Sequence, residues 1–170
     1  DSEIGHQPGE SQNYTMVTDD GLTRSYIVHL PTNYKPNKRR AKAVIFALPG
    51  FLTSAQEFHD GMNINGHSDE NDYIIVYPQG NEMLRGNGEI IYNWNDLSSS
   101  RSPGPSGPTC DTNNLNRAIA VAQAICPDTD GGDCAWTNCQ VDDISFIDQL
   151  ADKIEEDFCI DTSKENVIGF

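Results

Sequence analysis

Three short stretches of this sequence place a glycine at the end of an apolar, β-rich run. They are LPGFL after Ala43–Leu48, VYPQG at the close of Asp72–Gly80, and NVIGF at Asn166–Phe170. In open α/β sheets ligands bind beyond the carboxyl ends of the strands, so each stretch is a candidate site. After LPG the chain has to bend sharply, which glycine permits. The backbone N–H groups that follow, beginning at Phe51, could then face an oxyanion; the alternative is an ordinary Pro-Gly turn. VYPQG leads to IIYNWND, where Trp94 either lines a pocket for a sugar or aromatic ring or pins a long loop to the body. NVIGF fits the approach to G-x-S-x-G, with Gly169 first and Phe170 second, a turn that exposes a nucleophilic serine.

The other residues that could carry chemistry are histidines and cysteines. His6, His29, His59 and His67 are scattered and form no metal-ligand spacing. His29 reads as an edge or packed strand histidine. His59 and His67 read as near the site face, with no serine in an activating context beside them. Cys110, Cys126, Cys134 and Cys139 lie in a stretch rich in Gly, Pro, Asp and Asn. No C-x-x-C pair occurs, so disulfides in a secreted chain fit better than zinc. Four cysteines can pair in three ways, and Cys159 has no obvious partner. DTDGGD (Asp128 to Asp133) misses the EF-hand spacing and reads as an acidic turn rather than a calcium loop. Asn13-Tyr14-Thr15 is a glycosylation sequon, which makes Asn13 a candidate acceptor and agrees with secretion.

The elements that must position these residues follow from periodicity. Residues 1–13 read as a flexible tail. RSYIVHLP alternates as a strand with Tyr26, Val28 and Leu30 on one face and Pro31 ending it. NYKPNKRRAK is a solvated basic turn. AVIFAL, apolar throughout, suits a strand buried on both faces. A helix is expected to open at Thr53 or Ser54, giving a helical crossover to the strand DYIIVYPQG. Residues 81–113 read as mostly loop, with SSSRSPGPSGP exposed, and NRAIAVAQAI (Asn116 to Ile125) as a short helix. VDDISFIDQLADKIEEDF is the clearest helix, with Ile144, Ile147, Ala151, Ile154 and Phe158 along one face and Asp142 and Asp143 at its positive end. NVIGF follows as a short buried strand. This order is that of a parallel α/β layout.

Composition sets the outer bounds. With 170 residues, 36% hydrophobic and 22% charged, the chain is long enough for one domain with a core. No apolar run approaches the roughly 18–20 residues of a membrane span. DSEIGHQPGESQ has neither the basic start nor the apolar core of a signal peptide, and is compatible with what one leaves behind. A formal net charge of −15, from 26 acidic and 11 basic residues, repels phosphates and anionic lipid, so neither nucleic acid nor membrane is an expected partner.

Taken together and in order, these segments resemble the polyhydroxybutyrate depolymerase and feruloyl/acetylxylan esterase group of secreted α/β-hydrolases. TRSYIVHLP resembles the group's opening R-x-Y-x-x-x-x-P strand, and AVIFALPGF its strand ending in leucine, histidine and glycine. DYIIVYPQG with NWND resembles its valine-tyrosine-proline strand and tryptophan loop. VDDISFIDQLADKIEEDFCID resembles its helix ending in cysteine-isoleucine-aspartate, and KENVIGF the strand into the nucleophile elbow. The likeness runs from Arg24 to Phe170 apart from an insertion at 98–140. It implies an α/β fold, the N-terminal half of an α/β-hydrolase. That half would be an incomplete domain over 14–170, with a mainly parallel sheet, flanking helices and a disulfide-bearing insertion.

The resemblance also implies roles. Phe51 would offer a backbone N–H to the oxyanion, although Pro49 stands where the group has histidine. Trp94 would lie on the substrate side, and Gly169 and Phe170 would be the first two elbow residues. The serine would follow Phe170, with the acid and histidine later, so no catalytic residue lies within the chain. The reaction would be acyl transfer to serine and then water, on polysaccharide-linked or polyester esters, outside the cell, without cofactor or metal. The second half of the fold would come from the same or a separate chain. The competing expectation is a non-catalytic extracellular binding or structural protein of hydrolase ancestry.

Overall fold

The structure is a computed structural model that describes residues 5–36, 41–85, 90–94, 103–104, 107–108, 124–125 and 142–169. The chain divides into two compact units. One is Asp1–Pro49, Ala55–Gln79 and Phe146–Phe170, and the other is Gly50–Ser54 and Gly80–Ser145.

The first unit is a five-stranded mixed sheet with helices. Strands β1 (Ser11–Val17) and β2 (Thr23–His29) form a hairpin. Its turn closes with Thr18 and Leu22 backbones paired, and Gly21 at φ 83° takes the left-handed position. Strand β3 (Lys42–Leu48), helices α1 (Ala55–Met62) and α2 (Ile64–Asn71), and strand β4 (Ile74–Pro78) follow. Gln79 Oε1 accepts the Ala55 N–H at 2.8 Å, which satisfies one of the donors orphaned at the start of α1. The short helices are separated by Asn63 at φ 50°, and α2 stops at Asp72, φ 64°. Both are residue types that tolerate the left-handed region.

In the second unit β5 (Asn81–Arg85) and β6 (Ile90–Asn93) form an antiparallel hairpin, with β9 (Ala124–Ile125) on the other side of β5. Strands β7 (Pro103–Gly104) and β8 (Gly107–Pro108) pair with each other. The chain returns to the first unit through α3 (Asp143–Asp157) and ends in β10 (Ile160–Gly169).

Strand order in the large sheet is β1-β2-β4-β3-β10, with β1-β2 and β2-β4 antiparallel and β4-β3 and β3-β10 parallel. Alternation along the strands sorts the core into two faces. Ile27, Ala47, Ile75 and Tyr77 pack with Ala55 and Phe58 of α1, flanked by Ile64 and Tyr73. The other face carries Arg24 and Tyr26. There the Arg24 guanidinium lies 4.0 Å over the Phe146 ring of α3, and Tyr26 stacks on Tyr14, which meets Phe158 edge-on. Burial of each large aliphatic or aromatic side chain contributes about 1.5–3 kcal/mol, and β4 is buried along its whole length.

Several expectations are corrected. Residues 1–13 are not a tail throughout: β1 begins at Ser11, and His6 is buried, hydrogen-bonded to Tyr14 at 3.0 Å and to the Glu10 carbonyl at 2.8 Å. The polar alternation of Ser11–Val17 concealed a strand that offers only one partly covered face. Lys42 is not on a solvated turn but buried in β3, ion-paired with Asp72. Residues 81–93 contain the β5-β6 hairpin rather than loop alone. Of the expected helix Asn116 to Ile125, only Ala124–Ile125 are described, and they are extended.

Helix α3 forms where expected, and Asp142 caps it by accepting the Ser145 N–H at 2.9 Å. Its buried face, however, is Phe146, Leu150, Ile154 and Phe158; Ile144 is 51% exposed. Strand β10 is the sheet edge, not a buried strand, and Val167 is 62% exposed.

Candidate functional site

The parallel strands bring their carboxyl ends together in the first unit. Val44 to Phe46 of β3 run in register with Ile74 to Val76 of β4, and Val167, Ile168 and Gly169 of β10 lie opposite Phe46, Ala47 and Leu48. Gly169 and Leu48 are therefore direct neighbours at the ends of two parallel strands. A Cβ built on Gly169 would meet the Leu48 Cβ at 3.8 Å, an ordinary contact, so packing against β3 does not itself demand glycine there. Strand β10 reaches this register after an irregularity between Ile160 and Glu165. Cys159, just before it, donates its N–H to the Tyr34 hydroxyl at 3.0 Å and accepts the Lys42 N–H at 2.9 Å.

The second unit holds the two other predicted residues. Gly50 accepts the Thr53 N–H at 3.1 Å, closing a turn with Phe51 and Leu52 at its centre. Leu52 has φ 75°, the position where such a turn normally takes glycine or asparagine. The Leu52 N–H donates to the Tyr92 carbonyl at 2.8 Å, tying this turn to β6 two residues before Trp94. The turn that bears Phe51 and the strand that leads to Trp94 are thus joined, across forty positions of sequence. Gly80 is packed so closely on β6 that an added Cβ would come within 2.8 Å of the Asn93 carbonyl oxygen.

No protein-family model matches the sequence, and no curated protein matches it. Solved structures do. The fold is similar to an S-formylglutathione hydrolase from Agrobacterium tumefaciens, with TM-score 0.53 and 11% identity over 94% of this chain and 48% of that one. A fluorophosphonate-binding serine hydrolase of Staphylococcus aureus gives TM-score 0.53 and 9% identity over 95% and 47%. An acetyl xylan esterase from Aspergillus awamori gives TM-score 0.53 and 15% identity over 94% and 42%. The chain carries the N-terminal half of an α/β-hydrolase fold. It spans about half the length of the hydrolases it matches.

Within this half of the fold, β10 is the strand that ends in Gly169, and the LPGFL turn follows β3. Phe170, Cys110, Cys126, Cys134 and Cys139 lie outside the described residues. Cys159 is a half-buried free thiol among the described residues. Asn13 sits exposed on β1, opposite Ile27. Among the described residues no group of three or more His, Cys, Asp or Glu is placed to hold a metal ion. No helix among them is long and apolar enough to cross a membrane.

The histidines correct one expectation. His29 is buried as expected, but His59 does have a serine beside it. Ser11 Oγ lies 2.8 Å from His59 Nε2 and 2.9 Å from His29 Nδ1. Spacing alone could not reveal this, because β1 meets α1 only once the sheet is assembled. His67 contacts the Tyr73 hydroxyl at 2.8 Å.

Proposed function

We propose that this chain is the N-terminal half of a secreted serine esterase, of the kind that cleaves esters on polysaccharides or polyesters. The observation that carries the reading is the Gly169–Leu48 register, two parallel strand ends side by side in an α/β-hydrolase fold. In that fold the nucleophile sits on the sharp turn after such a strand. Its serine would follow Phe170, and the acid and the histidine would come later, from the same or a separate chain. Phe51 would supply a main-chain oxyanion donor and Trp94 a wall for the substrate. The acetyl xylan esterase among the similar structures supports a polysaccharide ester as the first substrate to try. Polyhydroxybutyrate and feruloyl esters are the others in the proposed group.

The test uses a form of the protein that extends beyond Phe170. A fluorophosphonate probe should modify a serine in the peptide containing Gly169, and acetylated xylan should release acetate. If that peptide stays unmodified and none of the three esters is cleaved, the reading fails. Secretion carries its own check: mass analysis of natural material should find a glycan at Asn13 and oxidised Cys110, Cys126, Cys134 and Cys139.

A further inference from the structure

Ser11 sits in a chain of hydrogen bonds that the esterase reading does not use. Its hydroxyl lies between two imidazoles, His59 Nε2 at 2.8 Å and His29 Nδ1 at 2.9 Å. The far nitrogen of each ring faces a carboxylate: His59 Nδ1 is 2.6 Å from Asp60 Oδ1, and His29 Nε2 is 3.3 Å from Asp69 Oδ1. The position is away from the strand ends discussed above. Ser11 pairs with His29, and His29 lies opposite Ile75 near the beginning of β4, whereas Tyr26 lies opposite Pro78 at its end.

A proton count shows what the arrangement can do. An ionised carboxylate accepts only, so it selects the tautomer with N–H towards it. His59 then donates from Nδ1 to Asp60, and His29 donates from Nε2 to Asp69. Both nitrogens that face Ser11 are left as bare acceptors, and the hydroxyl has one proton for the two of them. Asn65 Nδ2, 2.8 Å from His59 Nε2, also donates there, while its Oδ1 accepts the Tyr77 hydroxyl at 2.6 Å. Whichever ring takes the serine proton, it is a ring oriented by a carboxylate. A nucleophile beside a base that is held by a third group is the arrangement that activates a hydroxyl. Ser11 is exposed, while the His59 side chain is only 15% exposed.

We propose that Ser11 is a second, independent nucleophile that accepts an acyl or phosphonyl group from an activated ester, with His59 and His29 as alternative proton acceptors. Ser11 Oγ would attack the carbonyl carbon as its proton moves to the imidazole, and the carbonyl electron pair would shift to oxygen. Collapse would expel the alcohol, which leaves with the proton, and an ester would remain on Ser11. With a fluorophosphonate, the P–F bond breaks and fluoride departs with the proton. Asp60 and Asp69 are positioning residues.

The charge states agree with this. Hydrogen bonds from His59 and Gln56 hold Asp60 below the usual carboxylate range, so it is ionised. Burial pushes the His29 imidazole below its ordinary value, against the raising effect of Asp69 and with a small push from His59, so it is neutral near pH 7. The Thr32 N–H, 2.9 Å from Asp69 Oδ1, fixes that carboxylate, and the Tyr77 ring packs edge-on against His59.

The experiment treats the 170-residue chain with a fluorophosphonate probe and, separately, with p-nitrophenyl acetate, and maps the modified peptide by mass spectrometry. The expected result is one adduct on Ser11, absent in Ser11→Ala. Its rate should rise with pH on the acid side, as His29, held below its ordinary value by burial, loses its proton. Asp60→Asn, an exposed change expected to fold, should slow labelling at pH 7 by at least about tenfold, since a positioned base is worth roughly 10²–10⁴. No adduct on Ser11 overturns the proposal, and so does a rate that is flat with pH. The readout is the Ser11 peptide, so it stands or falls separately from any serine beyond Phe170.

Discussion

Leu52 sits at φ 75° in the turn closed by Gly50 and Thr53, a conformation that costs an L-residue about 1–2 kcal/mol. The side chain is 41% exposed, so its own burial returns little of that cost. The strain is held by the Leu52 N–H bond to Tyr92. Leu52→Gly should leave stability unchanged or raise it, by up to about 1 kcal/mol. Leu52→Val, β-branched and least tolerant of positive φ, should lie about 1–2 kcal/mol below the glycine variant. Urea denaturation of the two variants measures the difference. A valine variant as stable as the glycine one would mean that the turn relaxes freely.

Helix α3 shows how an element chooses its face. Two stripes fit its sequence, one through Ile144, Ile147 and Ala151 and one through Phe146 and Leu150, and both end on Ile154 and Phe158. The second is buried because Phe146 lies beneath Arg24, whose guanidinium also donates to the Gln79 carbonyl at 3.2 Å. A buried arginine stays where both its charge and its donors are met, and here the ring supplies part of that. Phe146→Ala should cost about 3–5 kcal/mol, whereas Ile144→Ala should change stability by less than about 0.5 kcal/mol. Thermal melts of the pair decide between the stripes. Equal losses would place Ile144 in the core and contradict this packing.

At the scale of the molecule, a net charge of −15 favours solubility, but β10 leaves apolar side chains and unpaired backbone at a sheet edge. Val167 and Ile168 are both exposed there. Such an edge invites a further strand, either from another copy or from a continuation of the sheet. Val167→Lys in the 170-residue chain should leave stability within about 0.5 kcal/mol and lower self-association, read by light scattering at increasing concentration. In a longer form whose sheet continues past β10, the same lysine would be buried and the protein should lose stability. No change in either form would mean that this edge pairs with nothing.

The sequence by itself determined the strands β2, β3 and β4, the crossover and helix α3, because apolar periodicity and caps are local signals. Only the tertiary structure decided the rest. Strand β1 was hidden because its residues are polar and its partner comes only with the turn at Gly21. The parallel neighbours β3 and β10 are more than a hundred positions apart, so the Gly169–Leu48 register is a property of the assembled sheet. The face of α3 depended on Arg24. Ser11 and His59, 48 positions apart on an edge strand and a helix, became partners only when β1 paired with β2 and brought the hydroxyl to the helix. Local chemistry selects the elements, and long-range packing selects which side chains share a proton.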